Sequence, residues 1–231
     1  NLKKPAINGA VNLFDDQTGQ LSAVIDFHLV TKWKTAGDSI LAAKLLARPN
    51  SRNILILGAG TVAYSLRQAY GNFFPDAHFS VWNRTSDRAE KFAANFPNTM
   101  AVKDLEKAIS TADIISAATM SSEPLINGKW LKPGQHIDLI GAYRPDMREA
   151  DDNTLKRSTI FVDSFETTIE HIGELKIPIA NNVIKREMVI SDFYNIEAFQ
   201  RSSDSEITLF KNGGGAHLDL MTAHFILQTW L

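Results

Sequence analysis

A glycine-rich turn between a predicted strand and a predicted helix is the clearest candidate for chemistry in this sequence. Residues 53–63 read NILILGAGTVA, with Gly58 and Gly60 at the turn. Gly58 permits the tight bend, and Gly60 lets the backbone approach a phosphate beside the N–H groups and positive dipole end of the helix. The pattern predicts a dinucleotide site formed by both glycines, Thr61 and Val62. A tight strand-to-helix connection without a ligand is the alternative.

The end of the next strand indicates which dinucleotide is bound. An NAD-preferring fold carries an acidic residue there for the ribose 2′-OH, whereas this sequence has Asn83, Arg84 and Thr85. Arg84 can pair with a 2′-phosphate, Thr85 can donate its hydroxyl, and no carboxylate repels the phosphate. We therefore predict NADPH as the cofactor and leave NADH open. The alternative is a solvated Arg84 beside a helix N-cap.

Two further strand ends are expected at the same crevice, because ligands bind at the carboxyl ends of parallel strands. Thr119 follows ADIISAA, and Gly141 follows HIDLI, so we predict that both line the cofactor. For Thr119 the alternative is a threonine that only ends a strand, which is common. Tyr143 comes two residues later in GAYRPDMRE, where packing, a substrate wall and a catalytic role are all open. Its phenol, with a reference pKa of about 10, would be a poor base at neutral pH.

Alternating strand and helix patterns position these candidates. Residues 7–26 indicate a β-hairpin around DDQTGQ, with Gly19 placed for positive φ. A lone hairpin is marginal, so we expect further strands from outside this chain or from a partner subunit. From Asn53 onward the alternation predicts a Rossmann-type, doubly wound parallel α/β sheet. The predicted strands are 53–58, 78–83, 112–119, 135–141 and 159–163, and the predicted helices are 35–47, 61–72, 86–96, 104–110, 191–200 and 216–230.

Composition excludes several classes of function. The 231 residues are 44% hydrophobic and carry a formal net charge of −2, without a basic stripe, so nucleic acid and anionic membrane are poor candidates as partners. The absence of cysteine removes disulfides, thiolate zinc sites and cysteine nucleophiles, and suits a cytoplasmic location. No apolar run approaches the roughly 20 residues of a membrane helix. The six histidines lack metal-ligand spacing, so we expect no metal site.

Several stretches, in order along nearly the whole chain, resemble the ornithine cyclodeaminase/mu-crystallin family. They are LFDDQTGQLSAVID, TKWKTAGDSILAAKLLARP, ILILGAGTVA, WNRTSDRAEKFA, PLINGKWLKPGQHIDLIGAYRPDMREADD and TLFKNGGGAHLDL. The resemblance implies NAD(P)-dependent chemistry on amino acids and their imines by a homodimer. It also implies a central Rossmann domain at 49–190 and a partial α+β dimerisation and substrate domain built from both chain ends, 1–48 and 191–231. A longer N-terminal part in the family is expected to supply basic residues and the proton donor.

Two departures from the family pattern guide the expected reaction. Lys34 replaces an arginine that grips the substrate carboxylate, keeping the charge without the bidentate geometry; an exposed lysine at a helix start is the alternative. Tyr143 replaces the aspartate base of the cyclodeaminases, which favours the ketimine-reductase branch with Tyr143 as a pocket wall. Asp219 lies either near the nicotinamide or in the first turn of a helix.

The expected reaction is therefore an NADPH-dependent reduction of a cyclic ketimine carboxylate. Δ1-pyrroline-2-carboxylate would give proline, and Δ1-piperideine-2-carboxylate would give pipecolate. Three alternatives within the family remain open: an NAD-dependent ornithine cyclodeaminase, an alanine dehydrogenase-like enzyme and a non-catalytic NADPH-dependent ligand-binding protein.

Overall fold

The computed structural model describes residues 8–230, so residues 1–7 of the predicted first domain, including residue 7 of the predicted hairpin, and Leu231 lie outside it. The hairpin is confirmed as an antiparallel pair of β1 (Ala10–Phe14) and β2 (Leu21–Asp26). Gly19 in its turn has φ of +68°. Within the described residues this pair forms a two-stranded sheet, and its completion by further strands stays a prediction.

The predicted parallel sheet is confirmed and has eight strands, all parallel to their neighbours. They are β3 (Asn53–Leu57), β4 (His78–Trp82), β5 (Thr99–Ala101), β6 (Ile114–Ala117), β7 (His136–Leu139), β8 (Thr159–Val162), β9 (Val189–Ser191) and β10 (Thr208–Lys211). Their order is β5-β4-β3-β6-β7-β10-β8-β9. The order reverses between β3 and β6, which is where open α/β sheets form a ligand crevice.

Helices cover both faces of the sheet because its strands are apolar on both sides. Ile54 and Ile56 of β3 pack in one buried cluster, whereas Leu55 and Leu57 pack in another on the opposite face. The helices are α1 (Phe27–Leu46), α2 (Thr61–Phe73), α3 (Ser86–Ala93), α4 (Leu105–Thr111), α5 (Asp152–Arg157), α6 (Phe165–Thr168), α7 (Gly173–Ala180) and α8 (Ala216–Trp230). Among residues 8–230 no helix is long and apolar enough to cross a bilayer.

Helix α1 connects the hairpin to the sheet and begins earlier than predicted. The sequence pattern predicted residues 35–47, but the helix starts at Phe27, directly after β2. The Asp26 side chain caps it by accepting a hydrogen bond from the Leu29 N–H at 2.9 Å. The longer helix reaches from the hairpin to the sheet and packs against both α2 and α8.

The C-terminal part of the chain differs from the prediction in two places. The helix predicted at 191–200 is wrong: Phe193–Ala198 forms 3₁₀ turns, broken at Asn195 with φ of −127° and ψ of 63°. Strand β10 was not predicted, yet it inserts between β7 and β8 in the large sheet. The division into domains at 1–48, 49–190 and 191–231 stays a prediction, but the last segment contributes a central strand to the sheet.

Candidate cofactor and substrate site

The predicted phosphate-binding turn leads from β3 into α2. Gly58 has φ of +104°, and a Cβ there would lie 2.7 Å from the Ala118 carbonyl oxygen, so a larger residue is excluded. Gly60 is the N-cap of α2, with no side chain capping the first turn and nothing within 4 Å of the position of a Cβ. The first turn of α2, at Thr61 and Val62, therefore has no side-chain cap, and the space beside Gly60 is open. This cradle fits a phosphate group.

The end of β4 lies beside this turn, because the Gly58 N–H donates to the Trp82 carbonyl at 2.8 Å. Asn83 bridges the next bend by donating from Nδ2 to the Thr85 carbonyl at 3.0 Å. Thr85 is the N-cap of α3, but its side chain makes no capping bond. Arg84 is exposed. All three predicted residues therefore lie at the edge of the crevice, with the side chains of Arg84 and Thr85 open to a ligand.

The loops after β6 and β7 are joined by one buried carboxylate that the sequence patterns did not single out. Glu149 Oε1 accepts hydrogen bonds from Thr119 N at 2.8 Å and Thr119 Oγ1 at 2.7 Å. Its Oε2 accepts from Gly141 N at 2.7 Å and Ala142 N at 3.1 Å. A Cβ on Gly141 would overlap the Thr119 backbone. Thr119 and Gly141 are thus brought together, and Glu149 holds both loops.

A second carboxylate and a buried lysine support Glu149. Glu174 accepts hydrogen bonds from Glu149 N at 2.7 Å and Ala150 N at 3.1 Å. Burial, followed by the charge of Glu149, raises the pKa of Glu174 to about 7. Lys211, at the end of β10, is fully buried and donates to the carbonyls of Leu139 at 3.0 Å and Asn212 at 2.6 Å.

Desolvation dominates the titration of this group of charges. Burial raises the pKa of Glu149, although the positive charge of Lys211 opposes that shift. Burial likewise lowers the pKa of Lys211, against the attraction of Glu149 and Glu174. The three side chains form one charged group beneath the crevice, and it could not be predicted because its members are distant in sequence.

Lys34, predicted to grip the substrate carboxylate, lies on α1 and pairs with Asp219 in the first turn of α8. Nζ lies 2.5 Å from Asp219 Oδ1, and both side chains are partly buried. The prediction for Asp219 as a first-turn carboxylate is confirmed, and its partner is the predicted substrate lysine. An ammonium group has three donors, so Lys34 keeps two N–H groups for a ligand.

Tyr143 follows Gly141 and Ala142 after the end of β7. Its side chain is 51% exposed, and the Arg144 guanidinium lies 5.9 Å from the ring centroid. Arg144 is itself paired with Asp146 at 3.0 Å. No hydrogen bond or ion pair within residues 8–230 joins Tyr143 to Lys34, so the role of Tyr143 as a pocket wall stays a prediction.

The family model of the ornithine cyclodeaminase/mu-crystallin family matches residues 3–231. This chain belongs to that family. The Delta(1)-pyrroline-2-carboxylate reductase of Paracoccus denitrificans is 50% identical to it, covering 97% of this chain and 73% of the relative. Ketimine reductase mu-crystallin of Mus musculus is 36% identical, covering 100% of this chain and 72% of the relative.

A solved structure of a family member supports the same fold. The Thermococcus litoralis Delta(1)-pyrroline-2-carboxylate reductase, in complex with NADH and L-proline, superposes with a TM-score of 0.88 at 30% identity. The match covers 93% of this chain and 69% of that one. The predicted resemblance and the Rossmann-type fold are therefore confirmed.

Proposed function

We propose that this protein reduces a cyclic ketimine carboxylate with NADPH. The substrate is Δ1-pyrroline-2-carboxylate or Δ1-piperideine-2-carboxylate, and the product is proline or pipecolate. The main support is the 50% identity to a Delta(1)-pyrroline-2-carboxylate reductase over 97% of this chain. The presence of Tyr143 at the end of β7, where a cyclodeaminase would need a base, supports the same reaction.

The crevice residues fit a nicotinamide dinucleotide. Gly58, Gly60 and the first turn of α2 would hold the pyrophosphate, because their backbone is close-packed below and open above. Thr119 and Gly141 would line the nicotinamide end, since Glu149 fixes their loops together. When bound, a reduced nicotinamide supplies the hydride.

The substrate would lie between α1 and the carboxyl ends of β7 and β10. Lys34 would hold the substrate carboxylate with the two N–H groups that Asp219 leaves free. Asp219 keeps the lysine in place, so the ammonium is positioned before substrate arrives. Tyr143 would close the pocket beside the nicotinamide and restrict the access of water.

We favour NADPH over NADH because of the sequence at the end of β4. The exposed Arg84 and the uncapped side chain of Thr85 leave donors free for a 2′-phosphate.

We also propose a homodimer, supported by a groove of about 640 Å³ between α1 and α8. The groove is apolar and lined by Trp33, Met221, Phe225, Ile226 and Trp230, with Thr222 and Thr229 at its sides.

A cytoplasmic location suits the cysteine-free composition.

A substrate panel with the purified full-length protein tests the proposed reaction. We expect oxidation of NADPH in the presence of either cyclic ketimine, measured by the loss of absorbance of the reduced nicotinamide. Ornithine with NAD⁺ should release no ammonia, and pyruvate with ammonia and NADPH should give no turnover. Ammonia release from ornithine without ketimine reduction would favour a cyclodeaminase instead.

A further inference from the structure

Asp38 is a buried acid next to the predicted substrate lysine. It lies one helical turn after Lys34 on α1 and is 8% exposed. Its Oδ2 accepts a hydrogen bond from Nδ2 of Asn212, the residue directly after β10, at 3.1 Å. Its Oδ1 accepts no hydrogen bond from residues 8–230 and is not among the enclosed unpartnered atoms. This oxygen therefore keeps some surface that a ligand can reach.

Charged groups face Asp38 from the elements packed around it. Burial is the main cause that raises the pKa of Asp38 to about 8, and the like charge of Asp163 at the end of β8 is the second. Asp138 in β7 adds a smaller effect in the same direction, and the bond from Asn212 and the charge of Lys34 oppose it. At neutral pH the Asp38 carboxyl group thus keeps a proton that it can donate.

The two lysines near Asp38, Lys34 and Lys211, both have acidic neighbours of their own. Asp219 of α8 balances the charge of Lys34, and the buried Lys211 of β10 lies near both Asp138 and Asp163. Asp163 is held in place, accepting hydrogen bonds from Thr168 Oγ1 at 2.7 Å and Gly214 N at 2.6 Å. Loss of the Asp38 proton would place a second negative charge beside this fixed carboxyl group.

The spacing of Lys34 and Asp38 matches the chemistry of an α-imino acid. In such a substrate the C=N carbon carries the carboxylate, so the nitrogen lies only two bonds from the carboxylate carbon. Side chains four residues apart on a helix have Cβ atoms about 5–6 Å apart and lie on one face. A cation that holds the carboxylate and a neutral acid that reaches the nitrogen fit this separation.

We propose that Asp38 is the acid that protonates the ring nitrogen while Lys34 holds the substrate carboxylate. The proposal rests on the ketimine reduction proposed above. The Asp38 O–H bond breaks and an N–H bond forms at the ring nitrogen. A bound reduced dinucleotide would supply the hydride for the carbon, and the C=N π pair would go to nitrogen. Water reprotonates Asp38 after the product leaves. The donor expected in the N-terminal part of the family is then not needed for this step.

The variant Asp38→Asn removes the proton but keeps the shape and the acceptor for Asn212. In the full-length protein, kcat should fall by about 100-fold, with little change in KM, because Lys34 still binds the carboxylate. The wild-type kcat should decline above about pH 8, and the variant should lose this decline. Asp113→Asn is the matched control, since Asp113 pairs with Arg48 before β6, at the opposite edge of the sheet.

Denaturant unfolding gives a test of the Asp38 proton without turnover. The unfolded chain loses this proton near pH 4, whereas the folded protein keeps it to about pH 8. Asp38 therefore lowers the free energy of unfolding by an amount that grows as pH rises from about 4 to about 8. Above this window the amount is constant. The free energy of unfolding of Asp38→Asn, relative to wild type, should rise with pH over the same window.

Each outcome has a distinct meaning. If wild type reduces the ketimine and Asp38→Asn keeps the same kcat and the same decline above pH 8, Asp38 is not the acid, and the proposed function stands. A relative stability that does not change with pH also overturns the assignment. If wild type does not reduce a ketimine, both proposals fail together.

Discussion

Arg84 is the residue on which the proposed preference for NADPH depends. It extends from the end of β4 with no acidic partner among residues 8–230. A guanidinium without a partner can pair with a phosphate in a bidentate geometry. Its hydrogen bond to a neutral ribose hydroxyl is weaker. The proposed preference for NADPH therefore depends on this residue more than on the glycine turn, which any dinucleotide would use.

The variant Arg84→Ala should weaken NADPH binding by about 10-fold or more, because a hydrogen bond to a charged group contributes roughly 1.5–3 kcal/mol. NADH binding should remain within about 2-fold of wild type, since NADH lacks the 2′-phosphate. Fluorescence titration of each cofactor measures both affinities. Arg52→Ala, at the amino edge of the sheet beside Asp76, is the control, and an unchanged NADPH/NADH ratio in Arg84→Ala would refute the assignment.

At the scale of elements, Glu149 joins two loops that the sheet only brings near each other. Its two oxygens accept four hydrogen bonds, two from Thr119 and two from Gly141 and Ala142. Both loops are expected to line the nicotinamide end of the cofactor. Their separation therefore depends on one carboxyl group as well as on the pairing of β6 and β7.

The variant Glu149→Gln replaces one acceptor oxygen with an NH₂ group that would face two donors. We expect NADPH affinity to fall by about 10-fold, because a buried charged hydrogen bond contributes roughly 1.5–3 kcal/mol and part of the network can rearrange. Glu123→Gln, an exposed change in the loop after β6, should bind as wild type does. Wild-type NADPH affinity in a folded Glu149→Gln protein would show that the loops do not need this carboxyl group.

The elements with local signals were predicted, and those defined by distant partners were not. The β3 turn at Gly58 and Gly60 has its strand, glycines and helix in a single stretch, so its geometry followed from the sequence. Strand β10 has only four residues and pairs with β7 and β8, more than 40 residues away. Its short apolar run gave no periodic signal.

Residues of the candidate site divide in the same way, into those with a local sequence signal and those whose role depends on distant partners. Arg84, Thr119 and Gly141 were predicted because they end recognisable strands. Glu149 stands inside the quoted GAYRPDMRE motif, but its partner Thr119 is 30 residues earlier, and a carboxylate after a strand looks like a solvated side chain. Asp38 was missed for a similar reason, since its burial comes from α1 packing over β10.

For the whole molecule, the main feature is an exposed apolar face formed by α1 and α8. Phe225 is 68% exposed and Trp230 is 88% exposed, and both lie on the groove that also contains Trp33. Apolar patches of this kind mark interfaces in soluble proteins. A second copy of the chain is the occupant that we propose.

The variant Phe225→Glu should shift the protein from dimer to monomer, because it places a charge in an apolar interface. Multi-angle light scattering over a range of protein concentrations measures the mass directly. Phe73→Glu, on the exposed end of α2, is the control and should leave the mass unchanged. A monomeric wild type, or a Phe225→Glu protein that keeps the wild-type mass, would place the dimer elsewhere or exclude it.

Transfer of a deuterium label from the cofactor to the ring carbon tests the proposed ketimine reduction. The full-length protein is incubated with Δ1-pyrroline-2-carboxylate and NADPH that carries deuterium on the transferred position of nicotinamide C4, and the product is analysed by mass spectrometry. We predict proline with one deuterium at its α-carbon, formed in equal amount to the NADP⁺ produced. Proline without deuterium, or no proline while ornithine releases ammonia, would contradict it.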